Sequence, residues 1–177
     1  MNDPGADVVA SCRQGDRDAQ RELFENVHRD VYRLTDRMVG AADAADVTQQ
    51  VFLQLFRSIE QFRGEARFST WLYRLTVNEC LQHIRRHKPA AQLPVDLEPR
   101  DRSPSHTVQV EQRDLLGQAL EKIPTDLRVI FLLREVEDLD YARMADVLEI
   151  AEGTVASRLN RARRELRKHL IELGWEP

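Results

Sequence analysis

Helix-breaking residues are scarce in this chain of 177 residues, which has seven glycines and seven prolines. Because the helix formers Leu, Ala, Arg, Glu and Gln dominate instead, the composition predicts an all-α fold. No apolar run approaches the roughly 18 uncharged residues of a membrane span, so we expect no membrane insertion. The first residues are acidic and lack an apolar stretch, so we expect no signal peptide and a cytoplasmic protein.

Cysteine is also scarce, because the chain has only Cys12 and Cys80, too few for a framework of disulfides or a paired-cysteine zinc motif. Cys80, His83 and His87 could share one helical face. A closed zinc site needs a fourth ligand, however, and the neighbouring sequence supplies none. We therefore expect no metal and no cofactor, but a buried thiol beside two solvent-facing histidines.

The residue patterns of enzymes are missing as well. No Ser-His-Asp arrangement, phosphate-cradling glycine loop or convergent metal set is visible in the sequence. We therefore expect neither catalysis nor a small-molecule substrate.

Charge is unevenly distributed along the chain, although its net value is only −4. Residues 63–88 carry +4 and residues 153–169 carry +5, whereas residues 1–62 and 110–152 carry −4 and −6. Two local basic stretches in an acidic protein indicate two separate contacts with a polyanion, one in each half of the chain.

Residues 88–107 form the clearest break in the sequence, with four prolines and few large apolar residues. Proline blocks helix propagation, and such a segment has little to bury. We predict a flexible linker over residues 89–109, between modules at residues 6–88 and 110–174. When extended it could span on the order of 60 Å, so the two modules could reach separate sites.

Helical periodicity predicts three helices in the first module. The first helix covers residues 16–39 and includes Phe24 in its buried stripe. Asp43 is expected to cap the second helix. The third helix covers residues 69–87. The second helix is expected to bury Val47, Val51, Phe52, Leu55, Phe56 and Ile59. The third is expected to bury Trp71, Leu72, Leu75, Leu81 and Ile84.

Four helices are predicted in the second module, over residues 110–122, 125–136, 140–148 and 153–172. The last has a buried stripe formed by Val155, Leu159, Ala162 and Leu166. Its opposite face carries Ser157, Arg161, Arg164 and Lys168. A short helix, a tight turn and this longer basic helix predict a helix-turn-helix that enters the DNA major groove. An ordinary amphipathic helix with a solvated charged face is the alternative.

Residues 120–124 (LEKIP), 128–132 (RVIFL), 141–148 (YARMADVL) and 153–163 (GTVASRLNRAR) together resemble region 4 of extracytoplasmic-function (ECF) sigma factors, in the sigma-70 family. That region reads the −35 promoter element. The resemblance implies −35 contacts by Thr154, Ser157, Arg158, Asn160, Arg161, Arg164 and Lys168. The sequence departs from the family pattern at residues 138–141 (DLDY), at Ala151, where proline is usual, and at Ala156, where a basic residue is frequent. The −35 sequence therefore need not be the family's commonest one.

Residues 46–53 (DVTQQVFL) resemble part of region 2 of the same family, which docks on the clamp helices of the polymerase β′ subunit. The polar residues there lie off the apolar stripe of their helix, and plain solvent exposure is the alternative. The resemblance implies that core polymerase is bound by Asp46, Gln49, Gln50, Leu53 and Arg57.

Residues 62–78 (FRGEARFSTWLYRLTVN) interleave aromatic and basic side chains, a composition that suits single-stranded DNA. They resemble the family's promoter-melting and −10 recognition segment, in which a loop captures a flipped base. By that resemblance, the −10 DNA contacts are Phe62, Arg63, Gly64, Tyr73, Arg74, Asn78, Arg85 and Arg86. Trp71 is expected to be mainly structural.

The two resemblances imply a fold of two small helical domains and a sigma factor that directs RNA polymerase to promoters. The implied partners are core polymerase, through its β′ clamp helices and β flap, promoter DNA and an anti-sigma factor; polymerase would hold the chain at the nucleoid. A stand-alone helix-turn-helix regulator and a helical interaction protein without a DNA role are the alternatives.

Overall fold

The computed structural model describes residue 1, residues 3–87 and residues 107–176, with the backbone alone for residues 107–114. The linker expected at residues 89–109 lies largely outside the described residues. The helix after it begins at Thr107, three residues earlier than expected.

The first module contains four helices in the order α1 (Ala6–Arg13), α2 (Arg17–Val39), α3 (Ala41–Ser58) and α4 (Phe68–His87). A single 3-10 turn, Ile59–Gln61, follows α3. The short α1 was not predicted, because Val8 and Val9 are the only large apolar side chains among its eight residues. Asp16 starts α2 by accepting hydrogen bonds from the backbone N–H groups of Asp18 and Ala19, at 2.9 and 3.2 Å.

Gly40 is the only residue between α2 and α3. Its φ of 90° lies in the region that glycine adopts readily, so the chain reverses in one residue. The expectation that Asp43 caps α3 is therefore wrong, because the helix has already begun at Ala41. Asp43 lies in the first turn, where its negative charge interacts favourably with the positive end of the helix dipole. Its Oδ2 lies 3.1 Å from His83 Nε2.

The core of the first module lies where α2, α3 and α4 pack together. Its fully buried side chains include Leu23, Val31, Leu34, Val51, Leu55 and Leu72. The buried hydroxyls of Thr35 and Thr48 lie 2.7 Å apart and link α2 to α3. Each hydroxyl can thus be satisfied inside an apolar core.

The buried face of α4 differs from the prediction. Leu72 and Ile84 are buried as expected, whereas Trp71, Leu75 and Leu81 are half-buried. Other residues of α4 are buried that were not predicted to be, among them Phe68, Tyr73, Thr76, Val77 and Cys80. The prediction had assigned mainly the largest apolar side chains to the buried face of the helix. A buried Thr76 is tolerated because its hydroxyl donates to the Leu72 carbonyl oxygen at 2.8 Å.

The second module contains α5 (Thr107–Lys122), α6 (Thr125–Glu135), α7 (Tyr141–Leu148) and α8 (Glu152–Glu172). Asp140 caps α7 by accepting a hydrogen bond from the Arg143 N–H at 2.8 Å. Glu149 ends α7 in the left-handed conformation, with φ of 54°. The predicted helix-turn-helix is therefore confirmed as α7, a tight turn and α8.

The two modules lie against each other along α4 and α7. Val77 and Cys80 of α4 belong to the same apolar cluster as Met144 and Val147 of α7. The predicted all-α, two-domain fold is confirmed, and the described part of the chain contains no strand. No helix in that part is both long and apolar enough to cross a membrane.

Candidate DNA and polymerase interfaces

The candidate −35 surface is the outer face of α8. Its buried stripe, Val155, Leu159, Ala162 and Leu166, is at most 5% exposed and fixes the rotation of the helix on the module. The opposite face is exposed at Ser157, Asn160, Arg161, Arg164 and Lys168. Two further candidates, Thr154 and Arg158, are half-buried. An exposed face with two arginines can donate in pairs to guanine edges or singly to phosphates.

Not every arginine of α8 belongs to this surface. Arg163 turns toward α6, where its Nε donates to Glu135 Oε1 at 3.1 Å. Arg158 lines a cleft between the modules together with Leu81, Ile84 and Val129. The structure thus separates arginines that face solvent from those held by neighbouring helices.

The candidate polymerase surface lies on α3. All five predicted residues are exposed, namely Asp46, Gln49, Gln50, Leu53 and Arg57. Leu53 is 43% exposed, so an apolar side chain lies among the polar residues of this face. Polar residues around one exposed apolar side chain suit the docking of another helix.

Aromatic side chains of α2 extend this surface, and the sequence reading missed them. Phe24 and Tyr32 are 39% and 37% exposed, so the expectation that Phe24 is buried is wrong. The Phe24 ring centroid lies 4.6 Å from that of Phe52 on α3 and 4.7 Å from that of His28. Phe24, His28 and Tyr32 follow each other at four-residue spacing, and this regularity was the signal that could have indicated an aromatic edge.

The candidate melting loop follows the 3-10 turn. The Phe62 ring is half-buried and packs against Phe68 and Trp71, with centroids 5.5 and 5.2 Å away. Arg63 and Gly64 are exposed beside it. The aromatic cluster therefore anchors the base of the loop and leaves its tip to solvent.

The candidate −10 residues of α4 do not all share one environment. Asn78, Arg85 and Arg86 are exposed, and Arg74 is half-buried. A groove beside Arg74 and Asn78 is also lined by Gln54 and Gln82. Tyr73 is only 1% exposed, so its ring is not available to DNA in this arrangement.

Gly64 should be the residue of the loop that tolerates substitution least. Its φ is +75°, and no atom lies within 4 Å of the place that a Cβ would occupy. Gly64→Ala is therefore expected to destabilise the fold through backbone strain alone, by about 1–2 kcal/mol. Thermal unfolding measures this change.

Gly153→Ala is the matched control, since Gly153 also has open space but lies in the first turn of α8, without a positive φ. There alanine is expected to be neutral or to stabilise by less than the roughly 1 kcal/mol of a helix interior. Equal effects of the two substitutions would contradict the assignment of strain to Gly64.

Cys80, His83 and His87 lie in different environments. No group of three or more potential metal ligands occurs in the portion of the chain that the structure describes. His83 is half-buried against Asp43 rather than solvent-facing as expected, whereas His87 is exposed and stacks on His83, with centroids 4.1 Å apart.

Both thiols should be inert in the folded protein. Cys12 and Cys80 are buried, and burial raises both pKa values, that of Cys80 to about 12. Because the thiolate is the reactive form, iodoacetamide at about pH 8 is expected to modify neither residue until the protein is unfolded. Rapid alkylation of the native protein, followed by mass spectrometry, would contradict this expectation.

Comparison with known families accounts for both modules. The profile "Sigma-70 region 2" matches residues 23–89, and "Sigma-70, region 4" matches residues 113–166. The ECF RNA polymerase sigma-E factor of Haemophilus influenzae is 36% identical over 169 residues, which are 88% of this chain and 89% of that protein. The ECF RNA polymerase sigma factor SigW of Bacillus subtilis is 27% identical, over 93% of this chain and 96% of its own.

Solved structures share the fold. CnrH, in complex with the cytosolic domain of CnrY, aligns with a TM-score of 0.70 and 20% identity, over 95% of this chain and 97% of its own. The sigma factor RpoE of Bartonella quintana, crystallised with the anti-sigma factor NepR, aligns with a TM-score of 0.66 and 18% identity, over 88% of this chain and 98% of its own. Since both sigma-70 regions match, and a relative is 36% identical over 88% of the chain, this chain belongs to the ECF sigma factors of the sigma-70 family.

Proposed function

We propose that this sigma factor docks on core RNA polymerase through α3, reads −35 duplex DNA with the outer face of α8, and opens and reads the −10 element with α4 and the loop before it. One observation carries this assignment: the first module exposes the candidate polymerase and −10 residues, and the second module exposes the candidate −35 face. The boundaries that we assign are residues 6–88 for region 2, 89–109 for the linker and 110–174 for region 4.

The α8 face supports duplex recognition. Arg161 and Arg164 are exposed on the side of the helix that faces away from the buried stripe. A helix presented in this way fits the major groove, where arginine pairs with guanine. Region 4 would also contact the β flap of the polymerase.

The first module supports the polymerase and −10 roles. Gln49 and Gln50 flank the exposed Leu53 on α3, which suits docking on the β′ clamp helices. Arg63, beside the half-buried Phe62, is 83% exposed, and the similarly exposed Glu65 carboxylate 4.0 Å away leaves it accessible to a phosphate. A stand-alone regulator would explain α7 and α8 but would leave these features of the first module without a role.

The family and the solved neighbours also support regulation by an anti-sigma factor, since RpoE of Bartonella quintana was crystallised with one. We infer that such a protein covers the polymerase-binding surface until a signal removes it. The assigned role is that of an initiation factor rather than an enzyme, carried out in the cytoplasm and at the nucleoid through polymerase.

Run-off transcription from purified parts tests the proposal. Core polymerase with this chain is expected to start at a defined site on the gene's own upstream region, and core polymerase alone is not. A pull-down should recover the core enzyme with the chain. Absence of core binding, together with tight duplex binding by the free chain, would instead favour the stand-alone regulator.

A further inference from the structure

Polar contacts join α4 of region 2 to the helix-turn-helix of region 4. Arg74 Nη2 donates to the carbonyl oxygen of Asp146 at 2.8 Å, and Arg74 Nη1 lies 3.0 Å from Glu149 Oε1. Nearby, Arg143 Nη2 of α7 donates to Ser69 Oγ of α4 at 2.8 Å. The end of α7 and the turn after it therefore hold a residue that we assign to promoter DNA.

A buried carboxylate makes a second set of contacts between the modules. The Glu137 side chain is 4% exposed, accepts a hydrogen bond from the Tyr73 hydroxyl at 2.7 Å and lies 3.5 Å from Arg37 Nη1. Burial, the hydrogen bond to Glu137 and the charge of that carboxylate raise the pKa of Tyr73. The Tyr73 hydroxyl therefore remains a donor to Glu137 throughout the physiological pH range.

The groups around Arg74 resemble the ligands that DNA would offer. A guanidinium binds phosphate oxygens through directed, charge-assisted N–H bonds. Here the Glu149 carboxylate and the Asp146 carbonyl at the C-terminal end of α7, the negative end of a helix dipole, take those donors. Arg74 cannot bind a phosphate in the same way while these contacts persist.

The −35 surface is not covered in this arrangement. Arg161 and Arg164 are exposed while Tyr73 is buried and Arg74 is held. The contact between the modules therefore closes part of the −10 surface and leaves the −35 surface open.

The packed arrangement also cannot reach two distant promoter elements. Packed helices lie about 8–10 Å apart, whereas sites two helical turns apart on DNA are separated by about 70 Å. The chain between His87 and Thr107 is long enough to extend over about 65 Å. The modules must therefore separate when both elements are read together.

The contact is built so that it can open. The Nε atoms of Arg74 and Arg143 are buried without a hydrogen-bond partner in the described part of the chain. Unsatisfied donors oppose closure. The apolar cluster that Val77 and Cys80 of α4 share with Met144 and Val147 of α7 favours it. The contact therefore balances opposing contributions, as in interfaces between domains that move relative to each other.

We propose that Glu137, Arg143 and Glu149 of region 4 form an intramolecular latch on Ser69, Tyr73 and Arg74 of region 2, which keeps the free sigma factor closed and occludes its −10 surface until the modules separate. The proposal rests on the proposed function, because it takes Arg74 as a −10 DNA contact. The latch restrains promoter opening, while the −35 face remains available.

A distance measurement on the full chain tests the latch without DNA or polymerase. Spin labels on Gln14→Cys and Arg167→Cys, both exposed, report the separation of the modules, since the native thiols are buried. The otherwise unchanged chain is expected to give one short, narrow distance distribution. Glu137→Gln/Glu149→Lys should give a broad distribution at longer distances.

The matched control carries the same kinds of change at neighbouring exposed positions, Asp138→Asn/Glu152→Lys. Asp138 has φ of 51°, which asparagine tolerates, and Glu152 lies in the first turn of α8. This control should stay closed. Arg143→Ala, which removes the hydrogen bond to Ser69, should also open the chain. It provides a second test should the double variant fold poorly.

Binding of an oligothymidylate of about 20 nucleotides measures the consequence of opening. If about a tenth of the unchanged protein is open, and only the open form binds, a fully open double variant should bind the oligonucleotide about tenfold more tightly than the control. The latch is overturned if the unchanged chain already gives a distance distribution as broad as that of the double variant. It is also overturned if the opened double variant binds the oligonucleotide no more tightly than the control. Run-off transcription with the unchanged chain separately tests the proposed function, since its failure would leave the distance result intact.

Discussion

Transcription from the cognate promoter is expected to fall at least about 30-fold when Arg161 and Arg164 are both replaced by alanine, because two base contacts of about 1–3 kcal/mol each are lost. Both side chains are exposed, so the fold should be unaffected. Run-off transcription with saturating core polymerase measures the effect. Core binding in a pull-down should remain unchanged.

Arg163→Ala is the control for this prediction. It removes one positive charge from the same helix, where the double variant removes two, but its side chain pairs with Glu135 of α6 rather than lying on the outer face. That partly exposed pair contributes about 0.2–1 kcal/mol to stability. Transcription should be nearly unchanged, and an equal loss in both variants would mean that net charge, rather than the outer face, governs recognition.

Core polymerase affinity is expected to fall at least about 30-fold in Leu53→Asp, the loss of a central hot-spot side chain of about 2 kcal/mol or more. Leu53 is 43% exposed, so an aspartate can remain hydrated in the free protein. In a docked complex, the same carboxylate would be buried against the partner helix without a counter-charge. Titration of labelled core enzyme with the variant gives the affinity.

Ala10→Asp controls for the added negative charge, because Ala10 is exposed on α1 of the same module and outside the candidate surface. It should bind core polymerase like the unchanged chain. Normal affinity of Leu53→Asp would remove the exposed leucine from the docking surface and move the interface elsewhere on the module.

Local patterns predicted much of the fold because helices record their buried face at short range. The stripe of Val155, Leu159, Ala162 and Leu166 is buried as predicted, since a period of 3.6 residues depends only on spacing within one helix. The same reasoning failed for Phe24 and Leu75, which are not buried. An apolar residue at the margin of a stripe is buried only if a neighbouring helix covers it.

The sequence pattern could not show which of several possible capping residues begins a helix. Asp43 looked like a cap, but Gly40 already reverses the chain. Asp16, which does cap α2, has the same side chain and was not singled out. A carboxylate can cap a helix or stabilise its first turn, and only the backbone path distinguishes the two.

By itself the sequence determined the all-α class, the break near residues 88–107, the helix-turn-helix and the likeness to sigma-70 regions 2 and 4, because spacing, composition and motifs are properties of one stretch of chain. Only the tertiary structure decided that Tyr73 is buried and that Arg74 meets Glu149, residues far apart in the sequence. Long-range ion pairs and shared burial arise when two faces meet, and neither face carries a local signal of its partner. The contact between α4 and α7, and the latch that we infer from it, could therefore be found only in the folded chain.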